Sequence, residues 1–264
     1  MRPDQIALQL FTLRDLLADD LPGTLRRVAD AGYRAVELAG LPPIADDELA
    51  ALLAEHGLEP IASHEPLERL RTDLDGVVRR LTALGCPRAI VPSVPPADHA
   101  SAVAVAAVAA ELGSLADRLG EAGIRLGYHN HAFEFEPLDG TTAWDVLCEH
   151  LPPSVELEID VYWASVGGRD PAELIDSARA AVRLLHMKDR EDGPEPRDAP
   201  VGSGILSWSD IVRAGRVAGV EWYVVEQDEP TDPIANVTSA HAYLRSLASD
   251  AAADPSIGSA GGAF

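Results

Sequence analysis

Eight short, largely apolar runs alternate with longer amphipathic stretches along the chain, and this alternation most constrains its fold. Runs of five to seven such residues are typical of strands that are buried on both faces in a parallel sheet. The amphipathic stretches between them have the periodicity of helices that return the chain to the next strand. We predict strands at residues 6–11, 33–38, 58–63, 88–92, 124–130, 155–161, 182–187 and 222–226. We predict helices at residues 22–31, 46–56, 67–84, 98–122, 142–150, 207–218 and 234–248, and one more that begins at residue 170.

Eight strand and helix units in about 250 residues are typical of an α/β fold of the (β/α)₈ TIM-barrel type. A doubly wound open sheet is the alternative, but no glycine-rich fingerprint follows the first predicted strand. No linker divides the chain, so we predict one barrel domain over residues 1–250. Residues 251–264 are rich in Ala, Gly, Ser and Asp, and we predict a disordered tail there.

The charge balance excludes several classes of partner. Acidic residues outnumber basic ones by 43 to 21, which gives a formal net charge of −22. A surface this acidic repels phosphate backbones and anionic lipids, so we expect neither a nucleic-acid nor a membrane partner. Two cysteines are too few for a disulfide framework, and the first residues lack the apolar core of a signal peptide. We therefore expect a cytoplasmic protein, and the sequence leaves open whether it is a homo-oligomer.

A single lysine, Lys188, stands among 20 arginines. This bias indicates that position 188 requires an ammonium group rather than a guanidinium. The alternative is that Lys188 is a surface lysine that remained by chance.

Residues able to bind a metal follow four consecutive predicted strands. Because the carboxyl ends of parallel barrel strands meet at one rim, we expect these side chains to converge. They are His129 and His131, Glu158 and Asp160, His186, and Glu226. Buried charges require compensation, which one divalent cation would supply, and carboxylate with imidazole ligands suits Mn²⁺, Co²⁺, Zn²⁺ or Mg²⁺. Taken singly, Asp160 is also compatible with a helix cap and His186 with a core histidine.

The motifs at these strand ends resemble those of the sugar phosphate isomerase/epimerase family, within the xylose isomerase-like TIM-barrel superfamily. The resemblance covers about residues 5–248. Its motifs are Tyr-His-Asn-His-x-x-Glu-Phe at 128–135, Asp-Val-Tyr-Trp-Ala at 160–164, His-Met-Lys-Asp at 186–189, Val-Gly-x-Gly-Ile at 201–205 and Glu-x-Asp at 226–228. Leu-Gln-Leu-Phe-Thr-Leu-Arg at 8–14 and Gly-Tyr-x-x-Val-Glu-Leu at 32–38 also fit.

The resemblance implies one divalent metal ion, with Mn²⁺ as our first choice, held by Glu, Asp, His and Glu from strands five to eight. Asp160, His186 and Glu226 match the last three ligands. Many relatives have Glu at the position of His129 and His at the position of Trp163. The first ligand is therefore His129 or Glu134, and we favour Glu134 because it keeps three carboxylates. Glu158, on the same strand face as Asp160, is a further candidate.

The same resemblance implies proton abstraction next to a carbonyl, so we predict a sugar isomerase or epimerase. We expect Glu226 or His131 to transfer the proton, and Lys188 to polarise a substrate oxygen. Substrate-binding candidates are Gln9, Glu37, His64, His129 and Trp163. Nearby cations are scarce, which favours an unphosphorylated sugar, keto-sugar or cyclitol, although the amides of residues 202–204 are a weak candidate phosphate cradle.

Three other functions compete with this prediction. The first is a carbon-oxygen lyase of the inosose-dehydratase or 3-keto-glycoside type. The second is a DNA-repair endonuclease of the same superfamily, which the net charge of −22 disfavours. The third is a non-catalytic barrel that binds a sugar or a metal.

Overall fold

A computed structural model describes residues 1–253 as a closed barrel of eight parallel strands, β1 to β8. Each strand pairs with its neighbours in sequence, and β8 pairs with β1 to close the sheet. In chain order the strands are Ile6–Gln9, Ala35–Leu38, Glu59–His64, Arg88–Val91, Arg125–His129, Val155–Asp160, Val182–Met187 and Trp222–Val225. The predicted single-domain (β/α)₈ barrel is confirmed. The tail predicted for residues 251–264 lies outside the described residues from position 254 onward.

Helices surround the barrel and cover the apolar outer face of the strands. The α-helices are Arg14–Asp19, Leu21–Asp30, Asp46–Glu55, Leu67–Thr72, Leu74–Leu84, Ala102–Gly120, Ala143–His150, Val161–Val166, Pro171–Ala178, Trp208–Ala218 and Pro233–Ala253. Short 3₁₀ helices are Pro3–Gln5, Leu10–Leu13, Pro96–His99 and Phe133–Phe135. Two small hairpins pair Pro137–Leu138 with Thr141–Thr142 and Asp189–Arg190 with Asp198–Ala199. Within residues 1–253 no helix has both the length and the apolar character needed to cross a bilayer.

The helix predicted over residues 67–84 is two helices, which meet at Asp73. The backbone of Asp73 leaves the helical region (φ −144°, ψ 52°), and its carboxylate accepts a hydrogen bond from the Gly76 amide at 3.0 Å. The side chain thus caps the second helix, Leu74–Leu84, and satisfies an amide that the helix leaves without a partner.

We expect Asp73→Ala to lower the free energy of unfolding by about 1 kcal/mol, because a helix amide loses its acceptor. Urea denaturation would measure the change. Asp73→Asn is the matched control, since its side-chain oxygen preserves the cap. Equal stability losses in both variants would contradict the capping role.

The barrel interior is arranged in layers along its axis. Seven buried apolar side chains fill the middle, and they are Ala7, Ala35, Ile61, Ala62, Ile90, Leu184 and Val224. On the amino-terminal side of this layer, Arg88 is 1% exposed, donates to Glu156 at 3.0 Å and pairs with Glu221. Arg125 joins both carboxylates at 3.0 and 3.2 Å from the outer side. Salt bridges therefore close one end of the barrel, while the carboxyl end carries a different set of polar groups.

Candidate active site

The carboxyl ends of the strands direct acids and imidazoles to the barrel axis. Side chains alternate between the two faces of a strand, so residues two apart share the inward face. His186 lies two residues after Leu184, which faces inward, and Asp160 lies two residues after Glu158. Each pair therefore shares one face of its strand. The strand register places His129 opposite Glu158 and Asp160 opposite His186. The predicted convergence of strands five to eight is therefore present.

Three histidine rings converge on one oxygen of Glu158. Its Oε1 lies 3.0 Å from the Nε2 of His64, the Nδ1 of His129 and the Nε2 of His186. Glu37 reaches the same Nε2 of His186 at 2.8 Å. Burial alone would raise the pKa of Glu158, but the imidazoles hold it well below its usual value. The residues of this cluster form a layer directly above the apolar layer. We call this cluster the deep layer, and its members are Glu37, His64, His129, Glu158 and His186.

A second group lies closer to the rim and shares His186 with the deep layer. One ligand atom each from Asp160, His186 and Glu226 lies within 4.8 Å of the others. The Nδ1 of His186 is 3.0 Å from Glu226 Oε2 and 4.0 Å from Asp160 Oδ2. The Nε2 of His129 is also 4.0 Å from Asp160 Oδ2. We call Asp160, His186 and Glu226 the rim group, and His129 lies beside it.

The two oxygens of Asp160 have different surroundings. Oδ1 accepts from the Trp163 amide at 2.9 Å and caps the helix Val161–Val166. Oδ2 is buried and has no hydrogen-bond partner among the described residues. Burial raises the pKa of Asp160 to about 7, although the positive charge of Lys188 acts to lower it. The cap anticipated as an alternative role is therefore real, and it leaves the second oxygen directed at the rim group.

The rim group fits a divalent cation. Two ligands that each lie about 2.1 Å from one ion are about 3.0 Å apart at a right angle and about 4.2 Å apart on opposite sides. The separations of 3.0 and 4.0 Å in the rim group fall in this range. The other ring nitrogens of His129 and His186 contact Glu158, the arrangement in which outer carboxylates orient metal-binding histidines.

Lys188 is a buried cation beside the rim group, not a surface lysine. Its exposed fraction is 0%, and its ammonium pairs with Asp228 and lies 3.9 Å from Glu226 Oε2. The same ammonium lies 4.9 Å from the ring centroids of Tyr162 and Trp163. Burial opposes its charge, but Glu226, Asp160 and Asp228 raise the pKa of Lys188 above its usual value. The chain therefore keeps its single lysine where three acids compensate it.

A cavity of about 380 Å³ opens above these residues. It is lined by Phe11, Ala39, Gly40, His64, Pro66, Pro92, His129, His131, Trp163, Glu226 and Asp228. Of the predicted substrate-binding residues, His64, His129 and Trp163 line the cavity, whereas Gln9 and Glu37 are fully buried and do not line it. A cavity of this volume falls in the range of small-molecule sites.

His131 also lines the cavity. Its Nδ1 is buried and has no hydrogen-bond partner in the described part of the chain. Burial and the charge of Lys188 lower the pKa of His131 to about 4, so the ring is neutral near pH 7. The ring centroid lies 5.4 Å from that of Trp163. His131 thus presents an uncharged imidazole to the cavity.

Glu134 does not join the rim group. Its Oε1 accepts from the Tyr128 hydroxyl at 2.8 Å and its Oε2 accepts from the His131 amide at 2.9 Å. Tyr128 is adjacent to inward-facing His129 on β5 and therefore faces the helices outside the barrel. The structure thus does not support Glu134 as the first metal ligand, because the side chain lies on the opposite side of the strand. The Nε2 of His129 instead lies 4.0 Å from Asp160 Oδ2.

The amides of residues 202–204 already have an acceptor within the chain. Gly202 and Gly204 donate to Asp189 Oδ2 at 2.9 and 3.0 Å. The Trp208 indole donates to the same oxygen at 2.8 Å. A buried carboxylate therefore fills the cradle that the sequence offered to a phosphate. Sequence reasoning also missed Asp228 as the partner of Lys188, although its position two residues after Glu226 was a usable signal.

A family model described as a xylose isomerase-like TIM barrel matches residues 25–247, and the chain belongs to this family. The structure is similar to that of a sugar phosphate isomerase/epimerase from Parabacteroides distasonis, with a TM-score of 0.77 and 25% identity over 91% of this chain and 93% of that chain. No curated protein matches the chain.

Two more distant structures share the fold. An L-ribulose 3-epimerase has a TM-score of 0.71 and 16% identity, with coverage of 96% of both chains. A probable 3-DHS dehydratase from Bacillus anthracis has a TM-score of 0.70 and 10% identity over 92% of this chain and 98% of that chain. The neighbours of this chain therefore include sugar isomerases or epimerases and a dehydratase.

Proposed function

We propose that the protein is a divalent-metal-dependent isomerase or epimerase, which abstracts a proton next to the carbonyl of an unphosphorylated sugar, keto-sugar or cyclitol. The observation that carries this proposal is the rim group beneath the cavity, where a buried oxygen of Asp160 has no partner within the described residues. Membership of the xylose isomerase-like family and the isomerase/epimerase neighbours support the same reaction class.

Asp160, His186 and Glu226 would hold the metal, with His129 Nε2 as the fourth ligand in place of the expected Glu134. Mn²⁺ is our first choice, and Co²⁺, Mg²⁺ and Zn²⁺ suit the same donors. When bound, such an ion supplies Lewis-acid stabilisation of the negative charge that develops on substrate oxygens. Glu158 and Glu37 would fix the orientation of the two imidazoles from the deep layer.

Two groups that line the cavity suit proton transfer. Lys188 and His186 keep the pKa of Glu226 well below its usual range despite burial, so its carboxylate is ionised. His131 stays neutral and offers an imidazole nitrogen to the same cavity. Lys188 is not among the residues that line the cavity, so it would act through Glu226, whose Oε2 lies 3.9 Å from the ammonium.

The cavity favours a substrate without a phosphate group. None of its lining residues is Lys or Arg, and two carboxylates, Glu226 and Asp228, face it. The amides of Gly202 and Gly204 are engaged by Asp189. The indole of Trp163 offers an aromatic face against which the C–H groups of a sugar ring can pack.

A solvent-deuterium exchange assay tests the proposal. We expect the wild-type protein with Mn²⁺ to incorporate deuterium into at least one member of a panel of ketoses, aldoses and inososes, and EDTA to stop the exchange. Glu226→Gln should lower the exchange rate by about 100-fold or more, because the side chain loses both its basic oxygen and its charge as a metal ligand. Phosphorylated members of the panel should react more slowly than their unphosphorylated counterparts.

The other outcomes assign the competing functions. Loss of water from the substrate would identify the lyase alternative, and sugar binding without any exchange would identify a non-catalytic barrel. Exchange that is insensitive to EDTA would contradict the metal dependence. Cytoplasmic location stays a prediction from the sequence, which leaves the oligomeric state open.

A further inference from the structure

We propose that Glu134 is a positioning residue, whose carboxylate holds the turn after β5 so that the imidazole of His131 faces the reacting carbon. This inference rests on the proposed function, because it assigns His131 to proton transfer. Glu134 would then contribute to proton transfer without binding the metal.

The carboxylate of Glu134 joins the strand to the turn that follows it. One oxygen accepts from the Tyr128 hydroxyl at 2.8 Å, and the other accepts from the His131 amide at 2.9 Å. Tyr128 and Glu134 are each 2% exposed, so water does not compete with these bonds. Tyr128 is the second-last residue of β5 and is paired with Val91 of β4, so the barrel sheet fixes its position. Glu134 therefore transmits the position of a barrel strand to the backbone of His131.

The backbone of Glu134 is itself fixed by packing. It lies in the short 3₁₀ helix Phe133–Phe135, and Phe135 packs against Trp144 with ring centroids 5.4 Å apart. Phe135 also packs so closely on Gly167 that an added Cβ there would lie 2.5 Å from its ring. The carboxylate thus acts between two anchored points, the strand and the helical turn.

The His131 side chain has no polar anchor of its own at Nδ1. That nitrogen is buried without a partner among the described residues, and ring contacts with Phe133 and Trp163 are less directional than a hydrogen bond. The direction of the imidazole therefore depends on its backbone, and the Glu134 bond fixes that backbone. A base must lie within about 3 Å of the proton that it abstracts, so a small shift of the turn is costly for turnover.

The test is a double-mutant cycle on proton exchange with the Mn²⁺-loaded protein. We expect Glu134→Ala to lower kcat by about 10–100-fold, with KM within about 3-fold of wild type, because the base is misplaced while the substrate contacts remain. In a His131→Ala background, Glu134→Ala should have no further effect on kcat. Bound Mn²⁺ per chain should be equal in the wild type and in Glu134→Ala.

Conservative variants keep the test decisive. Glu134→Gln retains an oxygen for the His131 amide and an amide group that the Tyr128 hydroxyl can accept from, so its kcat should stay within about 5-fold of wild type. Glu134→Asp is too short to span both donors and replaces Glu134→Ala if that variant does not fold. Glu136→Ala, at an exposed neighbouring position, is the control and should be unchanged.

The inference is overturned if Glu134→Ala slows the His131→Ala protein by the same factor as the wild type, or if it removes Mn²⁺. It is also overturned if Glu134→Gln loses as much kcat as Glu134→Ala. A wild-type protein that exchanges no label from any substrate overturns the proposed function itself. An active wild type with additive effects overturns only the role of Glu134.

Discussion

Asp160→Asn is expected to weaken Mn²⁺ binding and exchange activity by orders of magnitude while the barrel stays folded. The asparagine oxygen preserves the cap on the Trp163 amide, which now measures 2.9 Å from Asp160 Oδ1. The substitution removes only the charge and the second oxygen, the buried Oδ2 that has no partner within residues 1–253. We expect Mn²⁺ affinity to fall by about 100-fold or more and turnover by about 1,000-fold, which corresponds to several kcal/mol of lost charge stabilisation.

Thermal unfolding with and without Mn²⁺ measures the same effect independently of activity. A ligand that binds only the folded state raises the midpoint, so Mn²⁺ should raise the Tm of the wild type but not that of Asp160→Asn. Without metal, the variant should be at least as stable as the wild type, because an unpaired buried carboxylate oxygen is costly. Asp170→Asn is the matched control, since Asp170 caps another helix with the same geometry, 3.0 Å from the Glu173 amide. Wild-type Mn²⁺ affinity in Asp160→Asn would refute this site.

Arg88→Met is expected to cost about 3–5 kcal/mol of unfolding free energy, the typical result of removing one partner from a buried ion pair. The Arg88 side chain is 1% exposed and compensates Glu156, whose side chain is 12% exposed. After the substitution, Glu156 would keep its charge at the amino-terminal end of the barrel, and the outer Arg125 would be its one remaining cation among the described residues. Urea denaturation at pH 7 measures the loss.

Arg125→Met is the matched control for this effect. Arg125 contacts the same carboxylates of Glu156 and Glu221, but its side chain is 42% exposed. Solvent screens such a pair, so we expect a loss below about 1 kcal/mol. Similar losses for Arg88→Met and Arg125→Met would show that burial does not determine the strength of this cluster.

Much of the fold could be predicted because each barrel strand is a distinct apolar run with turn signals around it. The limits of the helices were less predictable. The strand predicted to end at residue 161 continues directly into the helix Val161–Val166, and a short apolar run has no period that separates strand from helix. The first strand ends at Gln9 rather than residue 11, because the Gln9 side chain accepts a hydrogen bond from the Phe11 amide and a 3₁₀ helix begins there. Such local side-chain bonds are not visible as periodicity.

The candidate site was predictable where strands carry it and unpredictable where loops do. Asp160 and His186 lie on strands, so alternation and the common direction of the strands bring them together. Glu134 follows β5 in a turn, where sequence spacing no longer indicates which side of the strand a residue faces. Asp228 likewise pairs with Lys188 only because two loops meet at the rim.

The apolar middle layer separates the two charged ends of the barrel interior. Ala7, Ile90, Leu184 and Val224 belong to this layer, which lies between the ion pairs of Arg88 and the imidazoles around Glu158. Neither end therefore depends on the other for charge compensation. Side chains of the rim group can therefore be exchanged while the ion pairs at the opposite end stay in place. This separation makes the carboxyl end of the barrel a suitable place for laboratory evolution of new binding sites.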